Sequence, residues 1–579
     1  MAWFDEARFY HIYPLGLTGA PHTNDYILKE HRLRYIFPWV EHIKNLNCNA
    51  IYIGPLFESV GHGYETTDYK KLDSRLGDNQ DLKDFMDLCH KNKIRVIFDA
   101  VFNHCGRDFF AFKDLRERKE ASQYRDWFCN VNFYGNNYFN DGFSYDNWGG
   151  DDGLVKLNQR NPEVKSYIQD VIRYWVKEFD VDGLRLDAAD VLDFDYMKAI
   201  RQVANEVKED FYLMGEVIHG DYTRWVNEEH LHAVTNYSMN KALWSGNNEH
   251  NFFEIAHTQK RNYDMAGQNP LGLRLYNFAD NHDVERIASK VNNKAHQLLI
   301  YTLCYTLPGV PSIYYGSEFG IEGRKEKGSD WNLRPELKIS DFKDAAEKNP
   351  LTFGIKILGK VRESSPALSY GGYKELLLTN RQYAYRRRLD NENVIILLNN
   401  DDNSAWFNVD AERLDKYYGC FGDVAVSSGD GRVNIEIPAN SCQILMPEEV
   451  YKKFKGDEET EWIETELNVA QDDNNIRDTE ILPEVSEDLT VDYLHVSSVT
   501  NEIIEKEEVV EEIKDETVES DIETLVPRNV SYEEMTIEEL QHCIYEKMRN
   551  NGPVTPEMKK TITDNVYHDS LINWVKSFR

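Results

Sequence analysis

Between residues 9 and 318 the chain repeats one unit, a short apolar run rich in β-branched and aromatic residues followed by a longer amphipathic stretch. That alternation builds a parallel sheet, because each helical crossover returns the chain to start the next strand in the same direction. Eight runs occur: 9–17, 50–57, 96–104, 181–189, 212–217, 233–239, 273–283 and 310–318. Eight βα units predict an α/β fold closed into a (β/α)8 TIM barrel. Helices are expected at 79–91, opened by Asp78 as an N-cap before an acidic first turn, and at 163–179.

Two departures from the repeat divide the chain. The third run is followed by about fifty residues rich in Phe, Tyr, Asn, Asp and Gly, too long for a plain connection, so an inserted lobe is expected at about 105–158 within a barrel domain of 1–368. From 369 to 447 the pattern changes to runs such as 382–388 and 393–399, separated by an Asp-Asn turn, which predict a C-terminal antiparallel β-sandwich.

Charge sets the remaining segments apart. The net charge is -34, and residues 448–526 hold 27 acidic against 6 basic side chains. With few aromatics, that stretch buries too little surface to offset chain entropy, so it reads as a disordered acidic linker. Residues 527–579 regain helical signals, including a capping box at Thr536 to Glu539, and read as a small helical segment that offers a protein partner a docking site. So acidic a chain repels nucleic acid and anionic membranes. No apolar run reaches the roughly 18 residues of a membrane-crossing helix. Eight Cys without a CxxC pair, and a start lacking a basic and apolar leader, point to a reducing cytoplasmic setting.

In a parallel barrel the C-terminal strand ends converge on one mouth, so acids placed there are candidates for chemistry. Four runs end that way: Asp99 with Asn103 and His104, Arg185 with Asp187, Glu216, and His282 with Asp283. One strand-end acid is commonly a helix cap or an ion-pair partner. Four, interleaved with two His and one Arg, are hard to explain as independent caps.

These segments resemble the four signature regions of the alpha-amylase superfamily, glycoside hydrolase family 13, in the family's order. Ala50 to Pro55, Gly63-Tyr64 with Asp68-Tyr69, and Gly309 to Glu318 match as well. The resemblance covers residues 1 to about 447 and implies a retaining glycosidase with an inserted domain B and a β-sandwich domain C. It makes Asp187 the nucleophile, Glu216 the general acid/base and Asp283 the acid that supports the transition state. It also assigns substrate contacts to Tyr64, Asp99, His104, Arg185 and His282, and more distant sugar contacts to Asp330 and Arg334. Arg185, on the same strand face as Asp187, is placed to hold that carboxylate ionised.

Leu154-Val155-Lys156-Leu157-Asn158 is similar to the MPKLN signature of the neopullulanase and cyclomaltodextrinase subgroup. Ala188 to Val191 lacks the Lys-His pair of endo-acting alpha-amylases, which implies short α-glucan oligosaccharides as substrates. The expected activity is hydrolysis of α-1,4 bonds in maltooligosaccharides or cyclodextrins. An α-glucan transglycosylase and a non-catalytic barrel acting as an assembly module are the alternatives. No cofactor is required; the one metal the resemblance allows is calcium at Asn103, with the 146–152 loop as a source of oxygens.

Overall fold

A computed structural model describes residues 2–456 apart from 268, 270, 271 and 423. Eight parallel strands stand where the eight runs place them: β1 (Phe9–Ile12), β2 (Ala50–Ile53), β3 (Arg95–Ala100), β4 (Gly183–Leu186), β5 (Tyr212–Gly215), β6 (Ala233–Val234), β7 (Tyr276–Phe278) and β8 (Val310–Tyr314). They pair in the order β6-β5-β4-β3-β2-β1-β8-β7, and a parallel bridge from Thr235 to Tyr276 closes the ring.

Alternation along each strand sends one set of side chains into the lumen and the other outward. The lumen holds Phe9, Tyr52, Ile97, Tyr212, Met214, Tyr276 and Phe278 as one buried cluster, with Trp3 and Phe4 packed against it. The outward set, among them Ile51, Val96, Leu184 and Leu213, packs beneath the helices in a second, larger cluster. Apolar layers fill the barrel below, so the polar lumen residues Asp99 and Arg185 lie toward the C-terminal mouth.

Capping residues start the helices where the sequence signals them. Asp78 and Asp81 form a reciprocal capping box at the head of Asn79–Lys91. Asn161 caps Pro162–Phe179, whose first residue is a proline with no N–H to lose, and Asp193 caps Phe194–Val207.

Domain B is a three-stranded antiparallel sheet of His104–Gly106, Asn147–Trp148 and Asp151–Lys156, with the helix Phe110–Arg118. A second excursion after β2 is the hairpin Phe57–Ser59 with Thr66–Leu72. Arg75 pins it, with Nε and Nη2 on Asp73, Nη2 on Ser59 Oγ and Nη1 on the Gly61 carbonyl. Tyr64 sits in the turn so fixed.

The C-terminal sheets are antiparallel: six strands from Gly372–Leu378 to Ser441–Pro447, facing the pair Ala405–Asp410 and Arg432–Ile437. Ile395, Leu397, Phe407, Val409, Val433 and Leu445 fill the space between. Leu389 pairs with Glu392 across a two-residue Asp390-Asn391 turn, with Asp390 at φ +49°.

One expectation fails at its edge. Residues 448–455 do not begin a disordered linker: Glu448–Lys455 is a helix that buries Val450 and Phe454. Their i, i+4 spacing supplies an apolar stripe despite the acidic surroundings. Residues 457–526, and the segment 527–579 expected to be helical, lie outside the described residues. Among the described residues no helix is long and apolar enough to cross a membrane.

Candidate active site

Arg185 organises the mouth. It projects from β4, is buried, and donates through Nη1 to Asp99 Oδ1 at 2.8 Å and Asp187 Oδ1 at 2.9 Å. Its Nη2 lies 2.8 Å from Glu216 Oε2. One guanidinium therefore ties together acids from three adjacent strands, β3, β4 and β5. Each is delivered by register: Asp99 pairs with Arg185 in the ladder, Asp187 follows the last residue of β4, and Glu216 follows the last of β5.

The turn after Asp187 is unusual. Ala188 adopts φ +45°, a left-handed conformation that side chains other than glycine rarely take, and its N–H donates to Glu216 Oε2 at 3.1 Å. That contact joins the backbone beside one candidate carboxylate to the side chain of the other.

The electrostatics correct one expectation. Arg185 does not by itself hold Asp187 ionised, because its single charge is divided among three carboxyls. Burial pushes the Asp187 carboxyl well above the ordinary range, Arg185 opposes the rise, and Glu216, Asp99 and Asp283 add to it.

Asp283 is set differently. Burial works against its charge, but His282, Arg334 and Arg185 together hold it well below the usual carboxylate range. His282 Nε2 is 2.9 Å from Asp283 Oδ2, and Arg334 Nη2 donates to Oδ1 at 3.1 Å. Tyr64 Oη lies within hydrogen-bond reach of Asp99 Oδ2 (3.0 Å) and of His282 Nε2. Its ring stacks on His282 with centroids 5.6 Å apart, which bridges β3 and β7 across the mouth.

His104 is buried, and burial lowers its imidazole to about 3, so it is neutral. Gln159 Nε2 donates to Asn103 Oδ1 at 3.0 Å, which leaves the Asn103 amide to donate to His104 Nδ1 at 3.2 Å. The ring hydrogen then sits on Nε2, which has no hydrogen-bond partner among the described residues. A spare, buried N–H donor at the rim is what a sugar hydroxyl needs.

Arg334 is closer to the centre than its sequence position suggests. Besides Asp283 it donates to the His282 carbonyl at 3.1 Å and lies 4.6 Å over the Tyr13 ring. Asp330 is 3.7 Å from Arg334 and 3.3 Å from Lys325, at the outer edge of this network.

The sequence of the alpha-amylase catalytic domain matches residues 33–352. The chain belongs to the alpha-amylase family. It is 33% identical over 436 residues to the cyclomaltodextrinase of Thermoanaerobacter pseudethanolicus, covering 69% of this chain and 71% of that protein. A Bacillus cyclomaltodextrinase is 30% identical over 426 residues, covering 69% and 74%. A solved cyclomaltodextrinase structure superimposes with a TM-score of 0.68 at 27% identity, covering 77% of this chain and 78% of that one. As a member of the alpha-amylase family the protein is a glycosidase.

Among the described residues no group of three or more His, Cys, Asp or Glu ligands gathers at Asn103, whose carboxamide oxygen accepts from Gln159, and the carboxylates of the 146–152 loop accept from Asn130, Tyr138, Asn147 and Gly153. Among the described residues the one His and acid group close enough to share a metal is His31, Asp78 and Asp81, where Asp81 serves the capping box and Arg34.

Four further side chains of this alpha-amylase family member, none of them a site candidate from the sequence, join the network. Tyr52 donates to Asp99 Oδ2 at 2.8 Å, and Trp148 stacks on His104 at 6.4 Å. Tyr237 donates to Glu216 Oε1 at 3.2 Å, and Asn281 Nδ2 donates to Tyr237 Oη at 3.0 Å. Tyr52 was within reach, since strand alternation points it into the lumen. Tyr237 and Asn281 sit beyond strand ends, where the backbone path decides direction.

Proposed function

We propose that the enzyme hydrolyses α-1,4-glucosidic bonds in short linear or cyclic α-glucans with retention of anomeric configuration. The reading rests on one observation, the single Arg185 guanidinium shared by Asp99, Asp187 and Glu216 with the ionised Asp283 opposite. A retaining glycosidase needs two carboxyls about 5 Å apart with one proton between them. Asp187 and Glu216 are the two carboxyls this reading assigns to that pair, since both contact the Arg185 guanidinium.

In the first step a carboxylate oxygen of Asp187 bonds to the anomeric carbon while the bond to the leaving oxygen breaks, and Glu216 gives that oxygen its proton. Water then attacks the glycosyl-enzyme, Glu216 takes back a proton, and the Asp187 ester bond breaks. Asp283 and the His104 and His282 imidazoles are placed to hold sugar hydroxyls, and the Tyr64 ring offers an apolar face to a pyranose.

The substrate size follows the relatives, three of which carry the name cyclomaltodextrinase. A reducing cytoplasmic setting suits the seven described cysteines, all of them free. The test is a panel of maltotriose, β-cyclodextrin, pullulan and soluble starch with the product anomer followed by NMR. Turnover of the small substrates above starch, releasing the α-anomer, supports the reading; release of the β-anomer, or activity confined to starch, overturns it.

A further inference from the structure

The two oxygens of Glu216 are not equivalent. Oε2 accepts from the Ala188 N–H at 3.1 Å and faces Arg185 Nη2 at 2.8 Å, so it is saturated with donors. A proton placed there would meet two N–H groups head on. Among the described residues Oε1 has one hydrogen-bond partner, the Tyr237 hydroxyl at 3.2 Å. The transferable proton therefore belongs on Oε1.

Tyr237 opens the helix Tyr237–Asn248 directly after β6, with its ring edge-on to Phe278 at 5.0 Å. Its oxygen accepts from Asn281 Nδ2, so the hydroxyl hydrogen is free to point at Glu216. Asn281 is fixed in turn, because its Oδ1 accepts the N–H groups of Asp283 at 2.8 Å and Val284 at 3.0 Å. A continuous chain of bonds thus runs from the backbone of Asp283 on the β7 loop to the candidate acid on β5.

We propose that Tyr237 is a positioning residue for the acid/base: held by Asn281, it donates to Glu216 Oε1 and stabilises the carboxylate left once the proton has gone to the leaving oxygen. The inference rests on the reading that Glu216 is the acid/base. As the glycosidic C–O bond breaks, its electron pair stays on the leaving oxygen, which takes the Oε1 proton; the Tyr237 hydrogen then turns to the vacated oxygen and stays on the phenol. When water attacks, its proton returns to Oε1 and the tyrosine contact relaxes. The charged and titratable groups facing Glu216 are Arg185 on β4, Asp187 and Asp190 in the turn after it and Tyr237 after β6, while Asp283 after β7 faces Asp187 and Tyr237. Tyr237→Phe removes only the donor and leaves the others in place.

The test measures kcat/KM against pH on maltotriose for wild type, Tyr237→Phe and Glu216→Gln. A carboxylate that loses one neutral donor holds its proton more tightly, so the alkaline limb of Tyr237→Phe moves up by about half to one pH unit, and kcat falls severalfold while KM changes less than about twofold. With 4-nitrophenyl α-maltoside, whose leaving group departs without a proton, the limb shift shrinks. An alkaline limb that stays in place in a variant melting like wild type overturns the inference while leaving Glu216 as the acid/base. Retention of wild-type activity and limb in Glu216→Gln overturns the acid/base assignment itself.

Discussion

Arg334 Nη2 donates to Asp283 Oδ1 at 3.1 Å, and this bond brings a residue from the loop after β8 into direct contact with an acid of the mouth. Arg334 is buried, stacked on Tyr13 and bonded to the His282 carbonyl, so its charge is held in place rather than drawn from solvent. Arg334→Met keeps length and removes the charge. A hydrogen bond to a charged group contributes about 1.5–3 kcal/mol, so kcat/KM on maltotriose is expected to fall about 10- to 100-fold. Asp283 loses one of three groups that depress it, so its carboxyl rises and the acidic limb of the profile moves to higher pH. An unchanged kcat/KM would show that this pair does no more than hold the loop.

Asp187→Asn separates chemistry from stability. Losing the proposed nucleophile is expected to lower kcat by about a thousandfold or more. Folding responds in the opposite sense. The Asp187 carboxyl is raised in the folded protein, so at pH 7, above its unfolded range, its charge works against the native state, and the stability it takes away returns as pH falls. The amide relieves that strain, and Tm at pH 7 is expected to equal or exceed the wild-type value by calorimetry. A lower Tm would mean that the Arg185 bond outweighs the burial of Asp187.

The parts legible in the sequence are those that a closed parallel sheet dictates. Strand period and register carry Asp99, Arg185, Asp187 and Glu216 to one rim from 117 residues apart, so their convergence needs no knowledge of loops. Loop-borne contacts were less legible: Arg334 reads from sequence as a distant sugar contact, and only the path of 315–334 brings it to Asp283. Tyr237 stayed hidden because β6 is two residues long, which gives alternation almost nothing to act on. The helix Glu448–Lys455, with two Glu against three Lys, was hidden by the acidic count of the residues that follow it, which outweighs a two-residue stripe of Val450 and Phe454. Arg185 and Asp187 show a limit of another kind: their contact follows from spacing, but the protonation of Asp187 depends on how many acids share the cation.

Asp182 tests the opposite end of the barrel. It precedes β4 at the N-terminal rim, is fully buried, and accepts from His90 Nε2 and Arg95 Nη1 at 2.8 Å, Lys208 Nζ at 2.9 Å and the Val96 N–H at 3.0 Å. Burial opposes its charge, but these donors hold the carboxyl well below its ordinary range. Its contribution is therefore present above the unfolded carboxylate range and lost as pH falls through the folded value. Asp182→Asn removes the counter-charge of Arg95 and one of the two carboxylates that Lys208 contacts, Asp180 remaining. Breaking a buried pair costs about 3–5 kcal/mol, and because those cations are half-buried the expected loss is about 2–3 kcal/mol in denaturant unfolding. Activity at 25 °C is expected to stay within about twofold, since this rim lies away from the chemistry; a large fall in kcat/KM would contradict the division of labour between the two ends.

Histidines buried in their neutral form make the barrel sensitive to mild acid. Burial lowers His232 to about 4 and His104 to about 3, and pushes His11 well below its ordinary value. His232 Nδ1 accepts the Leu213 N–H at 2.9 Å, a bond that protonation of that nitrogen destroys. The unfolded chain takes up these protons near pH 6.5, before the folded protein does, so stability is complete above that pH and declines toward the folded values. For His232 alone the decline at pH 5 is about 2 kcal/mol. His232→Gln keeps an acceptor of similar reach without a titrating ring, so its Tm is expected to fall less than the wild-type Tm between pH 7 and pH 5. Parallel Tm curves for the two proteins would place the acid sensitivity elsewhere in the barrel.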